Sequence, residues 1–108
     1  MENIDNKNNK KAPEALADGE YSEKTDVWSF GITVIEILTR KAPYPNKTTS
    51  QVITAVSKGE SIMEYPDWLN EQMKQFLIEK CFVFDPKQRS NFSVIQFYLF
   101  FDNIFFLS

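Results

Sequence analysis

At 108 residues, with 43% apolar and 25% charged side chains, the chain reads as one soluble globular domain that is too small for a complete two-lobed enzyme. Its 12 basic and 15 acidic residues leave a net charge of −3 spread over both halves, which excludes the basic stripe that a nucleic-acid backbone requires. With no histidine and one cysteine, Cys81, the chain can assemble no ordinary zinc-ligand set, no His-dependent catalytic triad and no internal disulfide.

Residues 1–11 carry four Asn and three Lys with Ile4 as the one aliphatic side chain, too little apolar surface to offset the entropy of ordering. This stretch is expected to be a loose arm. It has no apolar core, so it does not read as a signal peptide, and a reducing, intracellular and cytoplasmic setting is expected. Turn signals follow at Asp18-Gly19, Ala42-Pro43-Tyr44-Pro45, Lys58-Gly59, Tyr65-Pro66 and Asp85-Pro86.

The pieces between these breaks are helix-sized. Thr25 is expected to cap a helix over Thr25–Thr39, with Asp26 in its first turn, where the helix dipole favours negative charge. Val27, Trp28, Phe30, Ile32, Val34, Ile35, Ile37 and Leu38 place apolar side chains on every side of that helix, so it belongs in the middle of a bundle. Its β-branched run could also form a buried strand; the length and the end signals favour a helix. Thr49 or Ser50 is expected to open a second helix that stops at Gly59, with Val52, Ile53 and Val56 on one face. Asn70 opens a third, whose stripe is Met73, Phe76, Leu77 and Cys81. A fourth begins near Ser90 with Phe92, Ile95 and Leu99 at core spacing.

No segment alternates as a half-exposed strand does, so the fold class is all-α, about four helices around a central apolar one. Six of the ten Phe residues fall between Phe92 and Phe106, but Asp102 and Asn103 interrupt that run. It falls short of the roughly 20 apolar residues that span a bilayer, so no membrane role is expected. Residues 96–108 read either as a helix end with an exposed tail or as a sticky partner-binding segment.

Ala12-Pro13-Glu14, Asp26-Val27-Trp28-Ser29-Phe30-Gly31 and Asp85-Pro86-Lys87-Gln88-Arg89 occur in that order, joined by Tyr44-Pro45 and Pro66-Asp67-Trp68-Leu69. Together they resemble the C-terminal lobe of eukaryotic protein kinases from the Ala-Pro-Glu motif onward, over residues 12–95. The resemblance implies that Pro13–Ala17 closes the activation segment and that Thr25–Thr39 is the lobe's central helix. It also implies that Glu14 pairs with Arg89 in a largely buried contact, a role that suits the planar guanidinium fork. Asp26 would accept backbone hydrogen bonds from a catalytic loop, Trp28 would be core, and Gly31 would allow a close approach by a neighbouring backbone.

Each residue also has a plainer reading. Pro13 and Glu14 suit the first turn of any helix, Asp26 suits a helix dipole, and Arg89 could be a surface arginine.

Phosphoryl transfer in this family uses a Gly-rich loop, a strand lysine with its glutamate, a catalytic-loop Asp and Asn, and the metal-binding Asp of Asp-Phe-Gly. None of these occurs in the 108 residues, whose glycines, Gly19, Gly31 and Gly59, stand alone. No catalytic, cofactor-binding or metal-binding residue is therefore assigned, and ATP and Mg are expected only of an intact kinase. The abrupt start of the resemblance at Ala12 and its fading after Ile95 look like junctions in a longer coding sequence. Three readings follow: an inactive piece of a protein kinase, a non-catalytic module that docks a protein partner or the missing kinase parts, and an unstable product. The run Ser29–Thr39 and Tyr44-Pro45 resemble tyrosine kinases and their closest Ser/Thr relatives alike.

Overall fold

Every described helix after the first begins where a side chain supplies an acceptor for amides that have no partner in the first turn. The computed structural model of the protein describes residues 9–101, and the side chains of residues 9–96. Helix α1, Pro13–Asp18, starts with a proline, which has no N–H to leave unpaired, and ends at Gly19 with φ 68°.

Helix α2, Glu23–Thr39, starts two residues before the expected point. Its cap is Ser22, whose Oγ accepts from the Lys24 N–H at 3.1 Å, while the Ser22 N–H donates to Thr25 Oγ1 at 3.0 Å. Thr25 thus completes the capping box from inside the helix, because a hydroxyl three residues past the cap can reach back to the cap's own amide.

Helix α3, Thr49–Ser57, has the same device one residue earlier than expected: Thr48 is the cap and Gln51 the reciprocating side chain. Helix α4, Glu71–Phe76, opens as expected on Asn70, whose Oδ1 accepts from the amides of Gln72 and Met73. It then widens into a π-turn over Leu77–Cys81, closed by the Phe82 N–H on the Leu77 carbonyl at 2.8 Å. Helix α5, Phe92–Phe101, follows Asn91, which accepts from the Val94 amide. Among the described residues there is no strand, and the fold is all-α. Residues 1–8 of the arm expected over residues 1–11, residues 102–108 of the tail expected over residues 96–108 and the side chain of Leu99 lie outside the described part. Within the arm, the Lys10 carbonyl accepts from Ser29 Oγ at 2.9 Å and the Lys10 Nζ lies 3.2 Å from Glu36 Oε1.

The core forms on two flanks of α2. Val27 and Ile35 pack with Leu69, Met73, Phe76, Leu77, Cys81 and Ile95 on one flank. Trp28 and Ile32 pack with Ala12, Tyr44, Val52 and Val56 on the other. At 3.6 residues per turn, Val27, Gly31, Ile35, Trp28 and Ile32 share an arc of about 140°. The rest of the wheel is not enclosed as its composition suggested. Phe30, Val34 and Leu38 are half-buried and Ile37 is 69% exposed, because α5 and the α4 region reach one side of the rod and α1 with α3 the other.

Gly31 marks the tightest crossing. A Cβ there would stand 2.8 Å from the Cys81 Cβ and 2.8 Å from the Phe82 ring, so α2 and the π-turn meet across a position that tolerates hydrogen alone.

Candidate functional site

Arg89 and Glu14 are 75 residues apart in the chain and meet beneath the start of α2. Pro13 starts α1 and so orients Glu14, while the Asp85-Pro86 turn aims Arg89 inward through amides of residues 88 and 89 bonded to the Asp85 carbonyl. Arg89 Nη1 donates to Glu14 Oε2 at 2.9 Å and Nη2 to Oε1 at 3.0 Å, the two parallel bonds of a guanidinium–carboxylate fork. The remaining three N–H groups donate to carbonyls: Nε to Val83 at 2.8 Å, Nη1 to Lys24 at 2.8 Å and Nη2 to Phe84 at 3.1 Å. Every donor of the buried side chain is therefore satisfied, which a buried charge requires.

Thr25 completes the acceptor side. Its hydroxyl donates to Glu14 Oε2 at 2.9 Å and accepts from the Ser22 amide, so the helix cap and the ion pair share one side chain. Burial works against the charged form of Glu14. The hydrogen bonds from Arg89, from the backbone and from Thr25, together with the guanidinium charge, outweigh it and hold the carboxyl below its ordinary value. Lys24 extends the same seam, its Nζ donating to the Pro86 carbonyl at 3.1 Å.

Trp28 forms the wall behind the pair. The Arg89 guanidinium lies 5.2 Å from the centre of its ring, and Phe82 meets the same ring edge-on at 5.2 Å. The Trp28 Nε1 is buried with no hydrogen-bond partner among the described residues. Asp26, by contrast, lies exposed in the first turn of α2 and outside this arrangement. The structure thus gathers Glu14, Arg89 and Trp28 in one place, puts Gly31 one helical turn away against the π-turn, and leaves Asp26 apart.

Sequence singled out Thr25 as a helix cap and not as a partner of Glu14, and it did not single out the three carbonyl acceptors. The Ser22-x-x-Thr25 spacing was the available signal for Thr25. The carbonyls of Lys24, Val83 and Phe84 have no sequence signal, since every residue carries one.

Among the described residues no group of three or more His, Cys, Asp and Glu converges. A cavity of about 80 Å³ is lined in part by Trp28, Tyr44, Tyr65, Phe82 and Phe84, and a more open one of about 430 Å³ in part by Lys47, Gln51, Thr54 and Glu60. Burial pushes the Tyr65 hydroxyl and the Cys81 thiol each up to about 12 and the Tyr44 hydroxyl further still, so none of the three is poised for proton transfer or nucleophilic attack. What the arrangement can do is mechanical: it fastens the segment entering α1 to the base of the bundle.

A helical bundle that grips an Ala-Pro-Glu helix through a buried arginine from its far end has the make-up of a protein kinase large lobe. The family described as protein tyrosine and serine/threonine kinase matches residues 5–99, and the chain belongs to it. It is 39% identical over 84 residues to drkD of Dictyostelium discoideum, described as a probable serine/threonine-protein kinase, a match that covers 78% of this chain and 6% of that protein. It is 38% identical over 86 residues to the tyrosine-protein kinase transforming protein Fps of avian sarcoma virus (strain PRCII), covering 79% and 16%. It is 35% identical over 82 residues to the tyrosine-protein kinase receptor TYRO3 of Xenopus tropicalis, covering 75% and 9%. The chain thus spans between 6% and 16% of the length of these relatives. No helix among the described residues is long and apolar enough to cross a membrane.

Proposed function

We propose that the chain is the part of a protein kinase large lobe that anchors the end of the activation segment, and that it performs no phosphoryl transfer by itself. The family activity would be ATP-dependent phosphorylation of protein hydroxyls, with ATP and magnesium held by groups that these 108 residues do not contain. The observation that carries this reading is the buried fork between Glu14 and Arg89. Its role would be to hold the Ala12–Glu14 entry rigid, so that a substrate-selecting segment leading into it is held in position. An intracellular setting accords with this role, since both nucleotide and protein substrates are met there.

Two assays test the proposal. The purified chain, incubated with magnesium, ATP and a mixed peptide library, should transfer no phosphate above a heat-treated control; transfer would overturn the inactivity. In a chimera, residues 12–95 should replace the matching segment of the Fps kinase with autophosphorylation retained, and Arg89→Ala in that chimera should abolish it. Full activity of the Arg89→Ala chimera would overturn the anchoring role.

A second reading rests on Ile37, which leaves an apolar side chain on the middle helix open to water. In that reading the chain is a non-catalytic helical module that docks a protein partner, or the remaining kinase parts, along this open side of α2. Ile37→Lys should then abolish capture of such a partner while leaving the Glu14–Arg89 pair intact.

A further inference from the structure

We propose that Tyr21 is a phosphorylation site and that Lys11 captures the phosphate, tying the segment before α1 to the start of α2.

The three tyrosines whose side chains are described differ sharply in access. Tyr44 is 6% exposed and Tyr65 is half-buried, both packed against the core, whereas Tyr21 is 63% exposed. Tyr21 lies in the non-helical link between Gly19 and Ser22, and Ser22 is fully extended at φ −154° and ψ −177°. An enzyme can therefore draw this link into its cleft without breaking a helix. Tyr21 belongs to neither core cluster, and the Lys11 ammonium lies 5.8 Å from the centre of its ring. Asp18, Glu20 and Glu23 flank it in sequence and are exposed, so the link suits a phosphorylating enzyme with a basic approach surface.

The transfer needs a nucleoside triphosphate and a separate tyrosine kinase. Tyr21 Oη attacks the γ-phosphorus and the Oη–P bond forms. The bond from that phosphorus to the β–γ bridging oxygen breaks, and the nucleoside diphosphate leaves. The phenolic proton passes to a base of the transferring kinase, and nothing is oxidised or reduced.

The product carries about −1.5 to −2 charges and three acceptor oxygens beside a lysine that already lies over the ring. Lys11 immediately precedes Ala12 and the Pro13–Glu14 start of α1. Tyr21 immediately precedes Ser22, which caps α2 and bonds Thr25, the partner of Glu14. A Lys11–phosphate pair would thus close a second strap over the chain segment that Arg89 holds from below.

The experiment uses the full 108-residue chain, a purified tyrosine kinase domain with ATP and magnesium, and peptide mapping by mass spectrometry. Tyr21 should carry most of the phosphate, and Tyr21→Phe should remove most of the incorporation. Limited acetylation with acetic anhydride then reads the capture: Lys11 in the phosphorylated chain should react at least about twofold more slowly than in the unmodified chain, with exposed Lys58 as the reference. Phosphate on Tyr44, Tyr65 or Tyr98 in preference to Tyr21, or no incorporation, overturns the site. Phosphorylated Tyr21 with unchanged Lys11 acetylation overturns the capture.

Discussion

Gly31 faces Cys81 across a gap that leaves no room for a side chain, a Cβ on Gly31 falling 2.8 Å from the Cys81 Cβ. The neighbouring atom is fixed to the backbone of the π-turn and cannot swing aside. A mid-helix Gly→Ala change ordinarily stabilises by about 1 kcal/mol. Here overpacking outweighs that gain, and Gly31→Ala should destabilise the fold by about 1–3 kcal/mol in urea unfolding. A variant as stable as the parent would show that the two helices separate freely.

Arg89 should be the most sensitive charged position. Arg89→Ala leaves the Glu14 carboxylate buried without its cation and should cost about 3–5 kcal/mol. Arg89→Lys keeps the charge but cannot reproduce five donors in a planar fork, so it too should be destabilising, by about 2 kcal/mol or more. Denaturant midpoints of the two variants check the order: lysine between arginine and alanine. A lysine variant equal to the parent would mean that the fork geometry contributes nothing.

The carboxyl of Glu14 lies below its ordinary value of 4.5 in the folded chain. Its contribution to stability is therefore complete above that value and is lost as pH falls through the lower folded value, where the unfolded state already holds the proton. Thermal midpoints taken from about pH 6 down to about pH 2 should fall across this acid range. Glu14→Gln should start from a lower midpoint at neutral pH, because Arg89 is left without its counter-charge. It should also decline less steeply in acid. Parallel declines in the two proteins would assign the acid sensitivity to other carboxyls.

Helix α2 ends on Arg40 at φ 59°, a left-handed conformation that costs a residue with a Cβ about 1–2 kcal/mol. Its side chain is exposed, and its backbone N–H closes the helix on the Glu36 carbonyl at 2.7 Å. Arg40→Gly should keep that bond and relieve the strain, raising stability by about 1 kcal/mol in the same urea assay. A loss of stability would show that the arginine side chain contributes more than its backbone strain costs.

Much of this architecture was legible locally. Asn70 as a cap, the Met73–Phe76–Leu77–Cys81 stripe and the break at Gly59 each follow from interactions within a few residues, and the structure shows each of them. Helix starts shifted by one or two residues where two side chains could each serve as the cap, since Ser22 with Thr25 and Thr48 with Gln51 form reciprocal pairs that single-residue propensity does not rank. The π-turn was not legible at all, because a helix with five apolar positions reads the same at 3.6 residues per turn or slightly wider.

The anchor divides in the same way. The amino-acid order alone determined which residue types were on hand: a proline ahead of an acid, an arginine after an Asp-Pro turn, a tryptophan and a glycine one turn apart on an apolar helix. Only tertiary packing decided that Glu14 and Arg89 share two hydrogen bonds across 75 residues, that Trp28 stacks behind them, and that Asp26 lies outside. Local sequence encodes what one turn of backbone can reach. A buried charge pair depends instead on carbonyls and walls contributed by distant segments, and these come together only when the two core clusters close on either flank of α2.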